Sequence, residues 1–263
     1  MAGEGGGSRD RGRHGANRPG PPVARSAAVR VRSARRRKAS STEWLARQLN
    51  DPYVAQARRL GYRSRAAFKL IELDDRFRLL LPGRRVVELG CAPGGWTQVA
   101  VERVGARAGR GAVVGIDLAE TTPIPGATIL RADVHDPAAA SAIKAELGGL
   151  ADVVLSDMAP SATGHAATDH LRIVALAEAA FLVTEQILKP GGAFVAKVFQ
   201  GGAEGALLAQ LKRAFAELRH AKPPASRAQS AETYVIAKGF RGRRLAAGLE
   251  GSATEDQVHG ANG

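Results

Sequence analysis

The 263-residue chain carries 38 Lys and Arg against 25 Asp and Glu, with 44% apolar residues and one cysteine. That is enough apolar material for a substantial core, while the lone Cys91 excludes an internal disulfide and fits a reducing compartment. No apolar run approaches the ~18 residues of a membrane span, and no apolar leader core follows the basic start.

Residues 1–40 hold 11 Lys or Arg and 2 Asp or Glu, whereas the other 223 hold 27 and 23. This stretch is rich in Gly, Arg, Pro and Ser and predicts a disordered basic tail that attracts polyanions. Two other readings stay open. One is a solubilising low-complexity tail. The other is an Arg-rich mitochondrial transit peptide, although Gly and Pro oppose the amphipathic helix it needs.

Ser40-Ser41-Thr42-Glu43 offers a capping box, so an ordered domain is expected over 41–240. Helices are predicted at 42–49, 52–59 and 64–73, with a stop at Leu81-Pro82-Gly83. Thereafter β-rich runs at 84–90, 112–118, 127–132, 151–156, 193–199 and 233–239 alternate with helical stretches at 95–107, 136–147, 169–188 and 203–215. That alternation predicts an α/β fold with a mostly parallel sheet and helices on both faces. A weaker run at 216–221, close before the last strand, predicts an antiparallel pair at one edge. Residues 241–263 are polar and Gly-rich and predict a flexible tail.

Ligands of such sheets bind at the carboxyl ends of the strands. The first strand runs into Glu88-Leu89-Gly90-Cys91-Ala92-Pro93-Gly94-Gly95-Trp96, a small-residue turn that admits a ligand close to the backbone. Asp117, Asp133 and Asp157 close the next three strands. Asp117 suits a ribose diol and Asp133 an adenine amino group. Gly90-x-Ala92-x-x-Gly95 approaches a dinucleotide fingerprint, but Pro93 removes a backbone N–H that a pyrophosphate would use. S-adenosyl-L-methionine, which lacks phosphate and keeps the nucleoside, suits the loop and the three acids better. Each acid alone is equally an ordinary helix cap.

Lys197 lies in Ala193-Phe194-Val195-Ala196-Lys197-Val198-Phe199, an otherwise apolar strand. A buried amine demands an anionic partner or a neutral form, and Asp157 ends the neighbouring strand. The alternative is a lysine that snorkels to the edge. Lys69 and Glu232 are unremarkable when read singly. His135, His165, His170 and His220 show no metal-ligand spacing, so no metal is expected.

Five segments together resemble the FtsJ-type ribosomal RNA 2′-O-ribose methyltransferases. They are Arg63-Ser64-Arg65-Ala66-Ala67-Phe68-Lys69, the Glu88–Trp96 turn, Ser156-Asp157-Met158-Ala159-Pro160, Val195-Ala196-Lys197-Val198-Phe199-Gln200 and Ser226-Arg227-Ala228-Gln229-Ser230-Ala231-Glu232. The resemblance covers about residues 40–240. It implies a Rossmann-like S-adenosylmethionine-dependent methyltransferase fold and a catalytic tetrad of Lys69, Asp157, Lys197 and Glu232. The implied cofactor residues are Gly94, Trp96, Asp117, Asp133 and Asp157. Glu88 and Cys91 stand where aspartate and alanine are common.

The implied reaction moves a methyl group from S-adenosyl-L-methionine to the ribose 2′-hydroxyl of a uridine in 23S ribosomal RNA. Lys197 would act as general base, oriented by Asp157, with Glu232 balancing the lysines. Expected partners are ribosomal RNA, within the large ribosomal subunit, and no membrane, for a cytoplasmic monomer. Phosphate contacts are expected from Arg58, Arg59, Arg63, Arg65 and the tail. Competing readings are a methyltransferase of tRNA or mitochondrial rRNA, an NAD-dependent oxidoreductase, and a non-catalytic RNA-binding protein.

Overall fold

The computed structural model describes residues 45–46, 48–160, 163–199 and 204–242. The expected basic tail over 1–40 lies outside them, as does nearly all of the expected flexible tail over 241–263. The chain divides into two compact units, Met1–Pro52 and Tyr53–Gly263. In the first, residues 45–46 and 48–49 are helical, within the stretch that the capping box marks.

Elsewhere the elements run α1 (Pro52–Leu60), α2 (Ala66–Phe77), β1 (Arg85–Leu89), α3 (Gly95–Val104), β2 (Ala112–Asp117), β3 (Thr128–Arg131) and α4 (Ala139–Leu147). Then come β4 (Ala151–Ser156), α5 (Ala166–Ile187), β5 (Leu188–Phe199), α6 (Gly205–Ala214), β6 (Phe215–Ala221) and β7 (Glu232–Phe240). The strands form one sheet in the order β3-β2-β1-β4-β5-β7-β6. The first five are parallel. β7 runs antiparallel to both β5 and β6, so the expected antiparallel pair is present, with β7 inserted between β5 and β6.

The central strands are continuous apolar runs because both of their faces are covered. Alternate residues serve opposite cores. Val87, Val114, Val154 and Phe194 pack with α4, α5 and α6. Val86, Val113, Val153 and Val195 pack with α2 and α3. The chain winds outward from β1 to β3, then returns to place β4 on the other side of β1. This reversal opens a crevice at the carboxyl ends of β1 and β4, where Leu89 pairs with Ser156.

Helix α2 continues four residues past the expected 73. It ends at Arg78 in the left-handed region, φ 55°, whose N–H reaches Asp74 O at 2.7 Å. The buried Asp74 carboxylate then accepts the N–H groups of Leu79 and Leu80 at 2.8 and 2.7 Å. A single helix over 95–107 is instead α3 plus a short 3₁₀ turn at Ala106–Ala108. Gly105, at φ 73°, separates them. β5 begins five residues before the expected 193, because Leu188 pairs with Ala151 across a register shift.

Candidate active site

Four ionic side chains from four separated stretches meet at the carboxyl end of the sheet. Lys69 comes from the buried face of α2 and Lys197 from near the carboxyl end of β5; each is only 8% exposed. Asp157 follows β4, and Glu232 begins β7. Lys197 Nζ lies 2.8 Å from Asp157 Oδ1 and donates to the Asp157 carbonyl at 2.7 Å. Lys69 Nζ lies 2.7 Å from Glu232 Oε1 and 2.9 Å from Oε2. Two cations face two anions, which is the condition for burying them together.

Tyr234 joins the two pairs. The β5–β7 register sets it opposite Lys197, on the same sheet face. Its hydroxyl donates to Asp157 Oδ1 at 2.6 Å and receives Lys69 Nζ at 3.3 Å. Glu232 Oε1 lies 3.3 Å from the same oxygen and accepts the Ser226 hydroxyl at 2.7 Å. Burial, then the charges of Asp157 and Glu232, push the Tyr234 phenol well above its ordinary range, so it stays a donor. For Asp157, burial pushes upward. The Lys197 and Lys69 charges, with hydrogen bonds from Lys197 and Tyr234, outweigh burial and hold the carboxyl below its usual range.

Beside this cluster is a cavity of about 650 Å³, lined by Gly90, Ala92, Asp117, Asp133, Asp157 and Met158 among others. Gly90 sits at φ 79°, and a Cβ there would collide with the Met158 side chain. Asp117 is fixed by two backbone donors, Ala92 N to Oδ2 and Ala119 N to Oδ1, both at 2.8 Å. Each oxygen keeps a second lone pair for a ligand hydroxyl. Exposed Asp133 accepts the His135 backbone N–H at 2.9 Å and meets the His135 ring at 2.8 Å; these contacts hold it below the usual range. The cavity therefore presents acids at the ends of β2, β3 and β4, and the last of them belongs to the ionic cluster.

The model of the FtsJ-like methyltransferase family matches residues 62–240, from just before α2 to the end of β7. The chain belongs to this family. Its reaction class is methyl transfer, which removes the oxidoreductase reading. The chain is 63% identical over 220 residues to the ribosomal RNA large subunit methyltransferase E of Paramagnetospirillum magneticum, covering 83% of this chain and 90% of that protein. It is 60% identical over 223 residues to the enzyme of the same name from Rhodospirillum rubrum, covering 84% and 85%. A crystal structure of a ribosomal RNA methyltransferase from Plasmodium falciparum superposes with a TM-score of 0.61 at 30% identity, covering 69% of this chain and all of that one.

In this FtsJ-like methyltransferase, two residues of the expected cofactor set stand away from the cavity lining. Trp96 is buried, donates its indole N–H to Ala66 O at 2.8 Å, and packs 5.6 Å from the Tyr234 ring. Gly94 faces Ile124 and the Arg63 guanidinium. The expected phosphate-binding arginines also divide. Arg58 and Arg59 are exposed at the end of α1. Arg65 instead donates to Ala225 O at 2.6 Å, and Arg63 donates to three carbonyls. Sequence reasoning missed Tyr234 and Ser226. The signal for Tyr234 was strand alternation, since it lies two residues from Glu232 and shares its face.

Proposed function

We propose that this chain methylates the ribose 2′-hydroxyl of a uridine in 23S ribosomal RNA, using S-adenosyl-L-methionine, as a cytoplasmic step of large-subunit maturation. The observation that carries this reading is the Tyr234-bridged pair of ion pairs beside an acid-lined cavity. The relatives' names, which specify large-subunit ribosomal RNA, favour that substrate over tRNA or mitochondrial rRNA.

The residues fit the donor. Asp117 takes the ribose diol, Asp133 the adenine amino group, and Gly90 leaves room where a Cβ would block the approach. Gly94 and Trp96 support the cavity from behind its wall. When bound, S-adenosyl-L-methionine supplies an electrophilic sulfonium methyl.

Lys197 takes the proton of the attacking hydroxyl at Nζ, after its ammonium has released a proton to solvent. Asp157 orients that amine through two contacts and then faces the ammonium that forms. Glu232 neutralises Lys69, and Tyr234 fixes the spacing of the two pairs. General-base assistance of this kind contributes about 10²–10⁴-fold, and positioning contributes more, up to ~7–11 kcal/mol. Arg58, Arg59 and the basic residues 1–40 supply phosphate contacts.

The test is incubation with tritiated S-adenosyl-L-methionine and separated large subunits, small subunits, naked 23S RNA and tRNA, followed by mapping of the labelled nucleotide. Label on the ribose of a uridine in the large-subunit fraction is expected. Label confined to tRNA, or on a base rather than a ribose, would overturn the proposal.

A further inference from the structure

Arg63 lies in the segment between α1 and α2, where the sequence suggests only a basic surface. Its guanidinium is committed to the protein instead. Nη1 donates to Pro93 O at 3.2 Å and to Thr122 O at 2.6 Å, and Nη2 donates to Pro123 O at 2.8 Å. The Arg63 backbone N–H donates to Gln98 Oε1 at 2.8 Å, and Gln98 Nε2 returns to Gly61 O at 2.9 Å. The segment leading into α2 is thus stapled to α3, and its arginine clasps two loops at once.

Those two loops are the ones Asp117 holds from inside. Its Oδ2 takes Ala92 N, one residue from Pro93, and its Oδ1 takes Ala119 N, at the start of the stretch that ends in Thr122 and Pro123. A carboxylate on the cavity side and a guanidinium on the outer side grip the same pair of segments. Gly94 makes the outer grip possible. It sits at φ 108°, and a Cβ there would lie 2.5 Å from Ile124 Cδ1 and 3.1 Å from Arg63 Nη1. Glycine is required here by the positive φ and by Ile124, and its missing Cβ also leaves room for the arginine that lies over it.

We infer that Arg63 is a positioning residue for methyl-donor binding: it sets the Asp117 carboxylate through the two clasped loops and does not contact RNA phosphate. This rests on the proposed use of the cavity for S-adenosyl-L-methionine. A lysine cannot replace the arginine, because one ammonium cannot reproduce a planar fork that spans three carbonyls. The three carbonyls take three of the guanidinium's five N–H groups, and a phosphate that drew Arg63 off its seat would leave them short of a partner.

The experiment compares wild type, Arg63→Lys and Gly94→Ala, each checked for an unliganded melting transition. S-adenosyl-L-methionine affinity is measured by calorimetry, and large-subunit RNA affinity by filter binding at several salt concentrations. Arg63→Lys keeps the charge and should raise the cofactor Kd about tenfold while leaving the RNA Kd and its salt slope unchanged. Gly94→Ala, which keeps Arg63 but strains the turn and crowds both Ile124 and the arginine's seat, should also raise the cofactor Kd. An unchanged cofactor Kd in both variants overturns the inference. So does an Arg63→Lys variant with weaker RNA binding and normal cofactor binding. A wild-type chain that binds no S-adenosyl-L-methionine would sink the functional proposal itself, a distinguishable result.

Discussion

At the scale of single residues, the site depends on hydrogen bonds that tie two ion pairs into one body. Tyr234 carries one proton and places it on Asp157, while its oxygen receives Lys69. Tyr234→Phe removes that bridge and leaves Asp157 with one donor fewer inside the protein. Leaving a buried acceptor short of a partner costs about 1–3 kcal/mol. The turnover rate should therefore fall about ten- to a hundredfold, with cofactor affinity little changed. Steady-state kinetics with separate calorimetry checks this, and a variant with wild-type turnover contradicts it. Lys197 was legible as an isolated charge in an apolar strand, because burial of an amine is conspicuous in a one-dimensional reading. Lys69 and Glu232 were legible only through the resemblance of five segments, since neither is surrounded in sequence by anything unusual. Tyr234 escaped notice because an aromatic residue entering a strand reads as core, and its partners lie 77 and 165 residues away.

At the scale of elements, β1 shows how a strand end is tuned from within. Glu88 is 2% exposed and accepts a hydrogen bond from Thr97 on α3. Burial, reinforced by the charges of Asp157 and Asp117, pushes its carboxyl well above the ordinary value of 4.5. Between the ordinary value and the raised one, the folded chain holds a proton that the unfolded chain has lost. The group's contribution is thus fully present below the ordinary value and is lost as pH rises. Glu88→Gln is fixed in the neutral form, so its melting temperature should gain on wild type as pH rises from about 5 to about 8. A difference between the two that stays constant across that range would contradict this. The β-branched runs and intervening helices were legible because period and length separate buried strands from helices. The boundaries that moved did so for tertiary reasons. Asp74 caps a helix end through residues beyond it, Gly105 breaks α3 with a positive φ, and Leu188 extends β5 by pairing with Ala151.

At the scale of the whole molecule, charge is distributed unevenly. Residues 1–40 carry 11 of the 38 Lys and Arg, which favours a role in encounter over one in chemistry. Screening acts over ~10 Å at 0.1 M salt. Deleting residues 1–40 should therefore lower kcat/KM for large-subunit RNA at low ionic strength. The deficit should shrink as salt is raised, with kcat retained. An equal deficit at every salt concentration would indicate a structural role for the segment instead. The pattern of a parallel sheet closed by an antiparallel pair was readable from the spacing of the last two strands. The insertion of β7 between β5 and β6 was not, because nothing in sequence order distinguishes a terminal strand at the edge from one tucked inside it. That insertion has a functional consequence, since it brings Tyr234 opposite Lys197 and Glu232 opposite Phe199.

The central claim is that the Lys197 amine moves the proton while Asp117 holds the donor, the two halves of the site meeting at Asp157. It is tested most directly by one paired measurement on Lys197→Ala and Asp117→Ala. Transfer of tritiated methyl to large-subunit RNA is followed at saturating cofactor, alongside calorimetric titration with S-adenosyl-L-methionine. Lys197→Ala should lose transfer by about 10²–10⁴-fold with cofactor affinity retained, while Asp117→Ala should bind the cofactor more weakly and still transfer methyl when saturated. Near wild-type transfer by Lys197→Ala would contradict the account.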